Sequence, residues 1–239
     1  MSNQQVAVLF TGGRDSTLVA CYEALKGNKV HLLTCDSGIG IKRDVADYRV
    51  KELMERFPEQ IISRTILPTY GLFRSIAIKN IEEDFKKWNK NLILLGDKMA
   101  IHAAATVYCI QNNITRLVDG CVSYQQDLAE QKIIALELFK DFEIKYGITY
   151  DCPIYFYNSQ DDVKYALLTL GLSSKSLESV SIFGDSFTEP TEREVNEYII
   201  DKMYICEEYV NMMINTDKLE GFSYSANRNK HLEGKEVII

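Results

Sequence analysis

Gln5-Val6-Ala7-Val8-Leu9-Phe10-Thr11-Gly12-Gly13-Arg14-Asp15-Ser16-Thr17-Leu18 is the stretch that decides the fold. Gln5–Phe10 is a short apolar run that stops at a glycine pair, the pattern of a strand buried on both faces of a parallel sheet. From Ser16 to Lys26 the spacing becomes helical, with Leu18, Val19, Tyr22 and Leu25 on one face. Gly12 and Gly13 carry no Cβ, so the backbone can turn sharply between the two elements and approach a ligand. A helix starting at Asp15 or Ser16 aims its unpaired N–H groups and positive dipole end into the same space. Thr11 and Ser16 add hydroxyls. The combination suits phosphate, and Arg14 and Thr17 complete the candidate phosphate loop, Arg14 with its side chain toward solvent.

The alternation continues outward. Lys29–Cys35 reads as a second strand, Val45–Phe57 as a helix and Gln60–Leu67 as a third strand. A helical stretch through Trp88 follows, then a long apolar helix near Lys98–Asn112, a strand at Arg116–Gly120 and a helix near Leu128–Phe142. Strands alternating with helices predict an α/β fold, a Rossmann-like parallel sheet with helices on both faces. Right-handed crossovers put every βα loop on one edge, where open α/β sheets bind ligands. After Cys152-Pro153 the pattern turns helical, with Asp161–Leu170 and a longer helix at Thr191–Thr216 opened by a Thr191…Glu194 capping box. A ligand-binding α/β domain over 1–150 and a mainly helical C-terminal lobe over 151–239 are therefore expected. The lobe could cover the site or form an oligomer contact. Met212 and Met213 read as packing residues. The tail beyond Lys218, with Asn227, Arg228, Asn229, Lys230 and His231, has no periodicity and is expected to be ordered only by a partner or substrate.

A chain of 239 residues, 46% apolar and 26% charged with 4 prolines, has the composition of a folded protein without disordered linkers. The uninterrupted apolar runs are far shorter than a membrane span, and no signal layout precedes the first strand; a cytoplasmic location and no membrane partner are expected. The six cysteines show no C-x-x-C spacing, which favours free thiols. With a net charge of −7, nucleic acid is not the expected partner.

F-T-G-G-R-D-S-T-L, Phe10–Leu18, resembles the S-G-G-x-D-S signature of the PP-loop ATP pyrophosphatases, with Thr11 for the usual serine and the hydroxyl kept. The resemblance implies α–β cleavage of ATP: a substrate oxygen is adenylated and the loop holds pyrophosphate. A Walker loop and a full G-x-G-x-x-G are absent. The layout is closest to that of the 7-cyano-7-deazaguanine synthase-like and thiolating members. The four zinc cysteines of the former are missing; Ser179–Phe183 and a lone Cys206 stand in the comparable region.

Asp15 holds Mg²⁺, orients donors or caps the helix. Asp36 and Ser37, at the end of strand two, match the segment that contacts adenine or ribose, although Asp36 is equally a turn former. Lys98, in Gly96–His102, resembles the basic residue set against the phosphates, and a lysine near a helix start needs an anion close by. His102, one turn on, faces either the site or the core. Gly120, Tyr124, Asp127 and Gln131 follow strand four and are expected around the acceptor, Tyr124 stacking on a flat base or simply packed, Asp127 also a Mg²⁺ candidate. Cys121 is the thiol best placed to carry sulfur, against the alternative of a small buried residue; Cys109 is second choice. The expected cofactors are ATP and Mg²⁺. The expected partners are a small heteroaromatic substrate, a sulfur-donor protein and a second copy of the chain. Thiolation of a purine-like carbonyl is the preferred chemistry, with nitrogen insertion or tRNA thiolation as alternatives and a non-catalytic adenine-nucleotide sensor last.

Overall fold

The computed structural model describes residues 3–41, 44–181, 183, 188–215 and the backbone of 222–224. In chain order the first half comprises β1 (Gln5–Leu9), α1 (Arg14–Leu25), β2 (Lys29–Asp36), β3 (Gly40–Ile41), α2 (Val45–Arg56), β4 (Ile61–Pro68), α3 (Tyr70–Phe73, continuing into a π-helical turn at Arg74–Ile78), α4 (Ile81–Trp88) and α5 (Ile93–Gln111). The second half comprises β5 (Arg116–Val118), α6 (Ile133–Lys145), β6 (Thr149–Asp151), α7 (Gln160–Thr169), β7 (Val180–Ser181), α8 (Glu192–Met213) and β8 (Phe222–Tyr224).

β1 lies in the middle of the sheet because Val6, Ala7, Val8 and Leu9 are all apolar and can be buried from both sides. The strand order is β6-β5-β1-β2-β4-β8. The first five are parallel, and β8 adds antiparallel to the edge of β4. The chain winds from β1 to β4 on one side, then returns to β5 and β6 on the other. The reversal leaves a crevice beyond the carboxyl ends of β1 and β5, the ligand position of open α/β sheets.

Each face has its own apolar core. Leu33, Met99, Ala103, Phe139 and Tyr198 join α5, α6 and α8 on one face. Val8, Leu18, Val50, Leu53, Val163 and Leu167 join α1, α2 and α7 on the other. Helix α5 is long and apolar enough to cross a membrane by length and composition, but Leu95, Met99, Ala103 and Val107 are built into the first core.

Four differences from the sequence reading have local causes. β3, β6, β7 and β8 are two or three residues long, too short for a strand period to register. Helix α5 starts at Ile93, so Lys98 lies in its second turn and not at its start. The C-terminal helices are not set apart as a lobe: each has one apolar face, and the nearest place to bury it is a face of the sheet. Of the two methionines, Met213 packs on the core while Met212 is exposed. The capping box forms as expected, with the Thr191 hydroxyl accepting from the Glu194 N–H at 3.3 Å and Glu194 accepting from the Thr191 N–H at 2.7 Å, worth about 1 kcal/mol. The tail residues Asn227–His231 lie outside the described residues.

Candidate active site

A cleft of about 510 Å³ opens at the crevice and is lined from the ends of β1, β2 and β5, from α5 and from the segment before β7. Its first wall is the glycine loop. Gly12 has φ +85°, and a Cβ there would stand 2.1 Å from the Leu177 carbonyl oxygen and 2.8 Å from the Ala46 Cβ. Only glycine fits that turn without strain. Gly120 is excluded from change by contact: its Cβ would lie 2.6 Å from the Ser16 nitrogen, so the end of β5 rests directly on the loop.

Gly13 is the N-cap of α1, and no side chain caps the helix; its first N–H groups are left to the cleft. The Thr11 hydroxyl accepts from the Gly13 N–H at 3.1 Å, and Ser16 Oγ accepts from the Thr11 N–H at 3.3 Å. Asp15 is therefore not a cap. It lines the cleft and accepts a hydrogen bond from the Tyr124 hydroxyl at 2.8 Å. Burial raises the Asp15 carboxyl above its usual range; the Tyr124 bond opposes this and the nearby Glu178 charge adds to it.

Two loop residues turn away from the cleft. The Thr17 hydroxyl is buried and donates to the Gly13 carbonyl. Arg14, expected toward solvent, donates from Nε to the Ser174 carbonyl at 2.6 Å. With Arg49, buried in α2 and bonded to the Ser173 and Lys175 carbonyls, it pins a strap of chain over the loop. Leu177 N–H donates to the Gly12 carbonyl at 3.2 Å, and β7 pairs with β3 across the mouth. The strap brings Glu178 onto the loop, where its carboxylate accepts from the Thr11 hydroxyl at 3.3 Å. Glu178, Ser179 and Ser181 of this strap line the cleft, and among the described residues none of α7 or α8 does.

The opposite wall is made of side chains. Lys98 Nζ is ion-paired with Asp119 Oδ2 and lies 3.9 Å from Cys121 Sγ. Asp119 also accepts from the Cys121 thiol at 3.3 Å, from the Tyr150 hydroxyl at 3.1 Å and, at Oδ1, from the Gly120 N–H at 2.7 Å. Cys152 donates to the Tyr150 hydroxyl at 3.3 Å and is in hydrogen-bonding contact with Cys121. Burial alone would lower the Lys98 pKa, but the Asp119 carboxylate outweighs it and holds the ammonium well above its ordinary value. Burial likewise works to raise Asp119, and Lys98 reverses it, keeping Asp119 ionised. Cys121 is held well above the usual thiol range, first by its bond to Cys152, then by burial and the Asp119 charge. The anion beside Lys98 is thus Asp119 of the protein itself, and Lys98 stands in the second turn of α5 and not at its dipole end.

Asp36, Ser37, Gly120, Cys121 and Gln131 line the cleft with the loop. Asp36 accepts from the Gly38 N–H at 3.0 Å, the turn-forming bond, and Gln131 is engaged by the Val122 N–H and by Gln125. Other expected residues lie elsewhere. His102 is 1% exposed, bonded through Nδ1 to Glu143 at 2.9 Å and stacked on Phe139; burial lowers its pKa against the pull of Glu143. It stands in the core. Cys109 is buried in the same core, with burial raising its thiol pKa. Asp127 is exposed and outside the lining, which removes it as a Mg²⁺ contact in this cleft. Tyr124 reaches the cleft only through Asp15. Among the described residues no three His, Cys, Asp or Glu are grouped to hold a metal. Sequence reasoning missed Asp97, Asp119, Glu130, Tyr150, Cys152 and Glu178; a carboxylate at a strand end was the one signal available, for Asp119.

The fold, an open parallel α/β sheet with helices on both faces, is shared with a solved structure of another protein. The chain is similar to a 4-thiouridine synthetase solved in complex with RNA and bound ATP, with a TM-score of 0.57 and 14% identity over 87% of this chain and 53% of that one; it spans about half the synthetase's length. A predicted subunit of tRNA methyltransferase from Methanocaldococcus jannaschii matches with a TM-score of 0.43 and 16% identity, over 75% of this chain and 96% of that one. No protein-family model and no curated protein matches the chain.

Proposed function

We propose that the protein is an ATP-dependent sulfurtransferase that adenylates a carbonyl oxygen of a small purine-like acceptor and replaces it with sulfur. The observation that carries this reading is the meeting, in one cleft, of the Thr11–Ser16 loop with the Lys98–Asp119–Cys121 group. The acceptor oxygen attacks the α-phosphorus of ATP as the bond to pyrophosphate breaks. Loop N–H groups and the α1 dipole hold the leaving pyrophosphate, and Ser16 and Thr11 supply hydroxyl donors. Among the described residues eight carboxylates line the cleft against two cations, Lys98 and Arg64, and each of these is already paired, with Asp119 and Asp47. Asp15 at the loop would hold the Mg²⁺ of Mg²⁺-ATP, which would supply neutralisation of the phosphate charge.

Sulfur arrives as a persulfide on Cys121, loaded by a donor protein. When phosphate charge draws Lys98 away from Asp119, Asp119 becomes the base facing the Cys121 sulfur. The terminal persulfide sulfur attacks the activated carbon, a C–S bond forms, and the C–O bond breaks with AMP leaving. Cys152 then attacks Cys121 Sγ, the S–S bond to the product breaks, and a Cys121–Cys152 disulfide remains for an external dithiol to reduce.

The test is incubation with Mg²⁺-ATP, a persulfide donor, a dithiol and guanosine. AMP and pyrophosphate should form in equal amounts with a product heavier by the replacement of oxygen with sulfur. Cys121→Ser should abolish the thiolated product and leave pyrophosphate release, whereas Cys109→Ser should retain both. ATP binding without any AMP would sink the enzymatic reading. A second reading keeps the chemistry but takes RNA as acceptor. The RNA in the 4-thiouridine synthetase structure favours it, the net charge of −7 opposes it, and substituting tRNA for guanosine in the same assay separates the two.

A further inference from the structure

The strap beside the glycine loop is anchored at both ends. At one end Arg49 Nη1 donates to the Ser173 carbonyl at 2.9 Å, Arg49 Nη2 donates to the Lys175 carbonyl, and Arg14 Nε donates to the Ser174 carbonyl at 2.6 Å. At the other, Val180 and Ser181 of β7 pair with Ile41 and Gly40 of β3. Glu178 stands between these anchors and lines the cleft with Thr11, Gly13, Asp15 and Ser16. Its Oε2 accepts from the Thr11 hydroxyl at 3.3 Å, and a Cβ on Gly13 would meet that same oxygen at 2.4 Å. Gly13 is the N-cap of a helix that no side chain caps. A carboxylate oxygen there stands where a phosphate oxygen would be held. The charge reaches further into the cleft, joining burial in raising the Asp15 carboxyl.

We infer that Glu178 is an internal competitor for the phosphate site: its carboxylate occupies the anion position of the loop in the free protein, and phosphate groups bind as it swings out. The side chain is suited to leaving. Glu178 is exposed, and its other oxygen accepts from the Ser176 hydroxyl at 2.5 Å within the strap itself. Two hydroxyl contacts at the surface gain little over water. Rotation of one side chain clears the loop while the arginine bonds and the β3–β7 pairing stay in place. A site blocked for part of the time binds more weakly by the fraction that is open. The carboxylate therefore weakens every anion the loop holds, and its return favours release of pyrophosphate after cleavage.

This inference rests on the Thr11–Ser16 loop being the phosphate site of the proposed enzyme, and binding is measured apart from turnover for that reason. Calorimetry of the full chain with inorganic pyrophosphate at low salt should show Glu178→Gln binding about three- to fivefold more tightly than wild type, the gain expected if the carboxylate is in place about two-thirds to four-fifths of the time. Glu178→Asp keeps the charge but shortens the reach, and should give about a twofold gain. Glu208→Gln makes the same change of net charge at an exposed position of α8 outside the lining, and should stay within about 1.5-fold of wild type. Unchanged or weaker binding in Glu178→Gln would overturn the inference even if the protein cleaves ATP. Equal gains in Glu178→Gln and Glu208→Gln, or wild-type affinity in Glu178→Asp, would also overturn it, leaving charge without contact. Pyrophosphate binding to none of the variants would sink it together with the phosphate role of the loop. Tighter pyrophosphate in Glu178→Gln and Glu178→Asp with no AMP formed in turnover would uphold it while the sulfurtransferase reading failed.

Discussion

The two ends of the cleft are built by different means. At the loop end the groups are backbone: Gly12 in a left-handed turn, Gly13 as N-cap and the uncapped start of α1. At the acceptor end they are side chains from α5, β6 and the loop after β5, mutually neutralised in the Lys98–Asp119–Tyr150–Cys121–Cys152 network. A backbone site depends on conformation, which tolerates almost no change of residue at the turn. A side-chain network depends on partners, and removal of one charge strands the other. The two ends should therefore fail differently when altered.

The largest effect is expected at the acceptor end. Lys98→Met leaves Asp119 buried and unpaired and should cost about 3–5 kcal/mol in chemical denaturation, with the Lys98→Met, Asp119→Leu double variant recovering most of it. Equal losses in the single and double variants would mean that packing, not charge pairing, governs that wall. Gly12→Ala should cost about 2 kcal/mol or more, from the positive φ and from contact with the Leu177 carbonyl. Gly147→Ala is the control: φ is +75° there, with nothing within 4 Å of the added Cβ. It should cost only the conformational part. If the two match, the strap does not press on the loop.

The smallest effect belongs to Glu178. Its carboxylate sits exposed on the loop at the Thr11 hydroxyl, and Glu178→Gln should tighten pyrophosphate about three- to fivefold at low salt, fading as salt screens it.

The same contrast explains what could be read in advance. The loop, β1, β2, β4 and the parallel sheet were legible because strand and helix periods, glycine and helix starts are local properties of a few consecutive residues. Asp15 and Ser16 were placed by the same logic, and Cys121 by its position just past a strand end. His102, Cys109 and Asp127 went astray because helix phase within α5 and the path of a loop decide which way a side chain faces. The short edge strands and the strap left no periodic trace, and Glu178 reaches Thr11 across 167 residues of sequence.

Taken alone, the sequence determined the order of the central elements, the glycine turn and the uncapped helix start that together make an anion site, because backbone geometry follows from nearby residue types. Tertiary structure alone decided that Lys98 is paired with Asp119, that Cys121 has Cys152 beside it and that Glu178, Ser179 and Ser181 of the strap line the cleft. Those facts depend on parallel strands ending side by side and on helices packed over them, which join residues far apart in the chain.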